Sequence, residues 1–186
     1  REKIPRSIVQ LTGIEDKDVR KAPLFEDIAG TIYSLLAETT FVAHNVNFDF
    51  PFLNAELERA GYPSLSIPAI DTVTISQILL PTAKSFRLRD LTSSLHIEHD
   101  HPHSAVSDAE ATAELLTDLL KRIEQLPTLT LEKITQLKLN LPQQTAGVFD
   151  VELLRRRKSP QPLSEELYVS HGIVFHKSRP ITANGQ

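Results

Sequence analysis

Cysteine is absent from this chain of 186 residues. Disulfides, thiolate zinc sites and cysteine nucleophiles are therefore excluded. Methionine is absent too, and the chain opens at Arg1, so it is expected to be a piece of a longer polypeptide. No uninterrupted apolar run approaches the ~20 residues that cross a bilayer. No basic start followed by an apolar stretch marks a signal peptide, and the expectation is a soluble, cytoplasmic protein. Aromatic residues are few, 8 Phe and 3 Tyr, too few for an interleaved base-stacking platform. Positive charge is not in excess: Lys plus Arg is 20 against 24 Asp plus Glu, a net charge of −4. Such mild acidity does not advertise a nucleic-acid binder, yet it leaves room for an enzyme with one local basic track.

What is present is ordinary globular composition, 40% hydrophobic and 24% charged, which argues against wholesale disorder. A chain of this length removes roughly 70% of its surface from water on folding, enough for a real core. Residues 1–23 read as extended chain and a short helix anchored by Ile8, Leu11, Ile14 and Val19. Over 24–38 the residues Phe25, Ile28, Ala29, Ile32 and Leu36 follow one face of a 3.6-residue period and predict an amphipathic helix. The β-branched run 39–43 predicts a buried strand. A helix is expected over 50–60 with Gly61 as its C′ residue, a second strand over 67–70, and a helix over 71–80 stopped by Pro81.

Further on, Leu88, Leu91 and Leu95 predict a short helix over 87–95, and 96–102 reads as a polar loop. The longest helix is expected over 104–125, with Ala105, Ala109, Ala113, Leu116, Leu120 and Ile123 on its inner face. Alternating strands and helices argue for α/β architecture. Pro127 marks a change: helices are expected over 131–141 and 148–157, a Pro-containing linker over 159–162 and a small hairpin over 167–175. The basic run Arg155 to Lys158 reads as the solvated end of a helix, favoured by the helix dipole, rather than as a nucleic-acid contact. No internal repeat or low-complexity segment is present.

Two short motifs can carry chemistry. In His44-Asn45-Val46-Asn47-Phe48-Asp49 a strand ends and a helix begins, the place where open α/β sheets bind ligands, and the charge of Asp49 suits a helix N-terminus. The plainer reading is that Asp49 is a capping or first-turn residue and that His44 and Asn45 tie up loop backbone. In the second motif His103 stands five residues before Asp108 at a loop-to-helix junction. A carboxylate there can hold a hard divalent cation, and a loop His can take a proton from water. The plainer reading is a capping Asp beside an inconsequential His-rich loop, since His99 and His101 are close by. Taken together, Asp49 and Asp108 sit at the ends of elements flanking one sheet, without basic neighbours in sequence. Such carboxylates invite Mg²⁺ or Mn²⁺, and two such ions ~3.5–4 Å apart can support phosphodiester cleavage by water.

This pairing resembles the DnaQ-like, or DEDDh, family of 3′→5′ exonucleases. Its Asn-x-x-Phe/Tyr-Asp motif is met by Asn45, Phe48 and Asp49, and its His-x-x-x-x-Asp motif by His103 and Asp108. The surrounding text is similar as well: Gln10 to Ile14 leading to Val19 and Ala22-Pro23, then Phe41 to Asn45, Asp71-Thr72, and Asp108 to Glu114. The resemblance covers roughly residues 3–125 and implies a ribonuclease H-like fold, a mixed sheet flanked by helices. It implies Asp49 and Asp108 as metal-site carboxylates for a two-metal Mg²⁺ or Mn²⁺ centre, and His103 as the base that deprotonates the attacking water. It also implies that Asn45 and Phe48, with His44 beside them, shape the pocket of the 3′-terminal nucleotide. By charge alone, Arg87 or Arg89 could meet phosphate. The family's first motif, Asp-x-Glu on a central strand, has no counterpart in residues 1–186. It is expected upstream of Arg1 together with the N-terminal strands; a chain truly starting at Arg1 would bind metal weakly and cleave little.

The expected domains are a nuclease over 1–126 and a helical connector over 127–186. That layout is most similar to the N-terminal module of DinG-type exonuclease–helicases, with the helicase downstream and the 3′ ends of single-stranded DNA or RNA as substrate. No Gly-x-x-x-x-Gly-Lys-Ser/Thr loop occurs, so these residues alone should not hydrolyse ATP. The alternatives are a polymerase proofreading subunit and a non-catalytic interaction domain that keeps the fold.

Overall fold

A computed structural model describes residues 3–100, 104–158, 167–170 and 173–176. The architecture is α/β and mostly helical. Helices α1 (Arg6–Thr12), α2 (Asp16–Val19) and α3 (Phe25–Leu36) lead into strand β1 (Phe41–Ala43). Helix α4 (Val46–Arg59) then carries the chain to strand β2 (Ala69–Asp71), which runs directly into α5 (Thr72–Leu79). Helices α6 (Leu88–Leu95), α7 (Ala105–Gln125), α8 (Thr128–Gln136) and α9 (Gly147–Lys158) follow. Strands β3 (Leu167–Ser170) and β4 (Ile173–His176) pair antiparallel, Leu167 opposite His176, so the expected hairpin is present. The expected linker over 159–162 lies outside the described residues.

Strands β1 and β2 pair in parallel, with Phe41 opposite Ala69 and Ala43 opposite Asp71. Both strands therefore end on the same side, and the loops that leave them meet there. Small residues suit this covered pair: Ala43 and Ala69 are buried under Phe50 and Leu57 of α4 and Ala29 of α3. Gly61 closes α4 at φ 85°, as a C′ residue should.

A second cluster forms around Ile75, Leu91, Leu115 and Leu119. Leu131, Phe149 and Leu153, all beyond Pro127, belong to it. Residues 128–158 thus share a core with α5, α6 and α7.

The structure corrects four local expectations. The chain before α3 forms two short helices rather than one. Helix α4 begins at Val46 instead of residue 50. Asn45 takes a left-handed turn, φ 84°, that starts the helix earlier, and Pro51 lies inside it. On α7 the buried residues are Ala111, Thr112, Leu115, Leu119 and Ile123. Of the six residues expected to be internal, Ile123 is buried, Leu120 is exposed, and Ala105, Ala109, Ala113 and Leu116 line an open cleft. The helix is apolar on two sides, and only one is filled by α5, α6 and α9. Finally, Arg156 is not solvated. It pairs with Glu152 at 2.7 Å and donates to the carbonyls of Leu126, Glu124 and Ile123 at 2.7, 2.8 and 3.2 Å. It thereby satisfies the open carbonyls at the end of α7, while Arg155 turns back onto Glu152.

Candidate active-site cleft

The carboxyl end of β1 opens into a cleft of about 1600 Å³, bordered by the start of α4, the start of α6 and one side of α7. Asp49 reaches it from the first turn of α4 and Asp108 from the first turn of α7. Two helix N-termini therefore each bring a carboxylate to one space, which their dipoles favour. Arg87 and Arg89 lie on the rim, both exposed. Arg87 is also the N-cap residue of α6.

Partial burial of Asp49 pushes its carboxyl above the ordinary carboxylate value, opposed only by its own backbone N–H. Desolvation of this kind disfavours the charged form, and a nearby positive charge would favour it. Asp108 accepts from Nε2 of His99 at 2.7 Å, and Nδ1 of His99 lies 3.4 Å from Oγ1 of Thr92. The His99 side chain is only 6% exposed. This residue was missed in the sequence because nothing in its nine-residue spacing from Asp108 follows a helical or strand period. His103 lies outside the described residues.

His44 lines the cleft, but both ring nitrogens are already engaged. Nε2 donates to the carbonyl of Phe86 at 2.8 Å, which leaves Nδ1 to accept from Oγ1 of Thr72 at 2.9 Å. Burial pushes its pKa below the ordinary 6.5, against the opposing pull of the Phe86 carbonyl, Asp71 and Asp108. Below 6.5 the unfolded chain binds a proton that the folded chain resists, so folding weakens as pH falls through that interval. The denaturant midpoint is expected to drop between about pH 7.5 and about pH 5.5. His44→Gln should flatten that slope in the same titration.

Asn45 and Phe48 do not line the cleft itself; they stand next to its residues His44 and Asp49 in the chain. Asn45 makes the left-handed turn at the strand–helix junction, a conformation that Asn tolerates better than most residues. Phe48 is 69% exposed on α4, with Phe52 63% exposed one turn on.

Mg²⁺ and Mn²⁺ take oxygen ligands, and in kind the carboxylates of Asp49 and Asp108 fit such an ion. Among the described residues no group of three or more His, Asp or Glu forms a candidate metal cluster. Two carboxylates alone do not complete the coordination of such an ion.

An α/β scaffold that turns two carboxylates and two guanidiniums toward one cleft has the groups needed to handle a phosphate ester. The chain belongs to the exonuclease family, whose RNase_T model matches residues 1–116. It is 35% identical over 159 residues to the 3′-5′ exonuclease DinG of Bacillus subtilis, an alignment covering 86% of this chain and 17% of that protein. It is 33% identical over 180 residues to the 3′-5′ exonuclease DinG of Staphylococcus haemolyticus, covering 97% of this chain and 20% of that protein. With the Staphylococcus aureus protein of the same name the identity is 32% over 174 residues, 94% of this chain and 19% of the relative. The chain thus spans about a fifth or less of the length of these relatives. Among the described residues no helix is long and apolar enough to cross a membrane.

Proposed function

We propose that this chain is the nuclease module of a metal-dependent 3′→5′ exonuclease acting on single-stranded DNA, with RNA 3′ ends as the alternative substrate, in the cytoplasm. The observation that carries the proposal is the convergence of Asp49 and Asp108 on one cleft with Arg87 and Arg89 on its rim. Asp49 and Asp108 would hold Mg²⁺ or Mn²⁺, directly or through water; such an ion, when bound, supplies charge stabilisation to phosphodiester hydrolysis. His103 takes the proton of the attacking water. The oxygen of that water bonds to phosphorus, the P–O3′ bond breaks, and the departing 3′-oxygen is protonated. A nucleoside 5′-monophosphate leaves and a new 3′-hydroxyl remains. Arg87 and Arg89 hold the phosphate backbone, Phe48 and Asn45 border the terminal nucleotide, and His44 offers its ring face.

The fold proposed for the intact protein is ribonuclease H-like. Among the described residues β1 has one strand neighbour, β2, and β1 and the apolar stripe of α7 line the same open slot. That slot suits the additional strands, including one bearing Asp-x-Glu, that the family resemblance implies. We further propose that residues 127–186 connect the nuclease to a helicase, as in the DinG-type arrangement.

The test is shortening of 5′-labelled single-stranded DNA by the intact protein with Mg²⁺. A ladder that recedes from the 3′ end, and stops at a nuclease-resistant 3′-terminal linkage, is the expected result. No Mg²⁺-dependent shortening would leave the non-catalytic interaction domain as the reading, which the two-carboxylate set would then favour. Co-purification with a polymerase in place of a fused helicase would point to a proofreading subunit.

A further inference from the structure

The outer edge of β2, the side away from β1, is occupied by a segment that lies beyond Pro127. Ala69 donates its N–H to Oε1 of Gln144 at 2.9 Å, and its carbonyl accepts from the Gln144 N–H at 3.0 Å. Two residues on, where the strand turns the same edge outward again, Asp71 donates its N–H to Oγ1 of Thr145 at 2.9 Å. That hydroxyl spends its own proton on the carbonyl of Pro142 at 2.6 Å, so a lone pair is left facing Asp71. Thr145 is fully buried and Asp71 is 5% exposed.

Asp71 is in turn the anchor of the cleft. Its Oδ1 accepts from the N–H groups of Asn45 at 2.9 Å and Val46 at 3.4 Å, and from Val73 at 3.2 Å. Its Oδ2 accepts from Oγ1 of Thr74 at 2.6 Å. One carboxylate thus caps α5 and also holds the left-handed turn from which α4 starts. Val46 is fully buried, so no water can replace Asp71 at that amide. Asp49 projects from α4 three residues later.

We infer that the segment 142–145 is a positioning element of the cleft: Gln144 holds Ala69 and Thr145 holds Asp71 along the edge of β2, and Asp71 holds the turn that aims Asp49. Gln144, Thr145 and Asp71 are positioning residues, since none of them is placed against substrate. The consequence is that whatever moves the chain after Pro127 also moves Asp49. The inference rests on the proposed role of Asp49 at the cation, but one of its two tests does not.

The test uses the intact protein with Thr145→Val, which keeps the shape and removes the hydroxyl, and Thr145→Ser, which keeps the hydroxyl. Amide hydrogen exchange is followed in the peptide spanning residues 44–49. Thr145→Val is expected to raise exchange there by about tenfold, the effect of one lost buried hydrogen bond, and Thr145→Ser to stay near wild type. The Mg²⁺ concentration for half-maximal 3′-end cleavage should rise about tenfold in Thr145→Val, with the KM for DNA unchanged and with recovery in Thr145→Ser. Unchanged exchange over 44–49, in a variant whose Asp71 amide has become exchangeable, would overturn the inference and make the contact a local anchor. Should Thr145→Val fail to fold, Gln144→Leu takes its place. It removes the acceptor of the Ala69 N–H from an exposed side chain, and no rise in exchange over 44–49 would overturn the inference equally. If wild-type protein cleaves no 3′ end, the functional reading falls, while the exchange measurement still decides the link.

Discussion

Asn in place of Asp49 or Asp108 in the intact protein is expected to lower Mg²⁺-supported 3′-end cleavage by about 10²–10⁴-fold, the range for removing a charge that the reaction depends on. The two substitutions should differ in what they do to the fold. The Asp49 carboxyl is raised by partial burial, against the hydrogen bond of its own backbone N–H. Such a group favours the folded state while protonated and loses that contribution as pH rises through its folded pKa. At neutral pH the ionised form is therefore mildly unfavourable, and Asp49→Asn should unfold at the same temperature as wild type or slightly above it when no metal is added. Asp108 accepts from buried His99, so Asp108→Asn should lose some stability along with activity. Thermal melts without added metal, beside cleavage assays across Mg²⁺ concentration, separate the two effects. Cleavage by Asp108→Asn at the wild-type rate in Mg²⁺ would remove this carboxylate from the site.

His103→Ala is expected to lower turnover by about 10²–10⁴-fold, the range for a lost general base, with folding intact. His99→Ala is the necessary companion, because His99 is the imidazole seen against Asp108. Its ring sits between Thr92 and Asp108, 6% exposed, in the manner of a residue that orients a carboxylate. Loss of such an orienting partner costs about 10–100-fold in metal affinity or activity. The expected order is thus a larger fall in kcat for His103→Ala and a shift in Mg²⁺ requirement for His99→Ala. A reversed order, measured under saturating Mg²⁺ and DNA, would transfer the base role to His99.

The positions of Asp49 and Asp108 show how a short-range pattern reaches a long-range site. Each lies in the first turn of a helix that follows an identifiable break, the end of a β-branched run for Asp49 and a polar loop for Asp108. Parallel pairing of β1 with β2 then brings the loop after β1 beside Asp71, and the packing of α7 against α5 and α6 delivers Asp108 to the same cleft. The basic run shows the reverse. As text, Arg155 to Lys158 is four equivalent cations. In the fold, Arg156 is committed to the end of α7 and to Glu152, and Arg155 to Glu152. These two are therefore already occupied within the chain.

Alternation of strand and helix, the C′ glycine at 61, the hairpin after residue 166 and the two motif carboxylates in first turns were all legible in the sequence. Each depends on residues within a turn or two, where hydrophobic period and capping chemistry act directly. Tertiary structure alone decided which apolar side of α7 is buried, since both sides read alike until α5, α6 and α9 cover one of them. It also decided that α4 starts at Val46, because the carboxylate holding that amide stands 25 positions away. The contacts of Thr145 with Asp71 and of His99 with Asp108 belong to the same class. A polar side chain carries no mark of its partner in sequence, and the partner becomes definite only when burial removes water as an alternative.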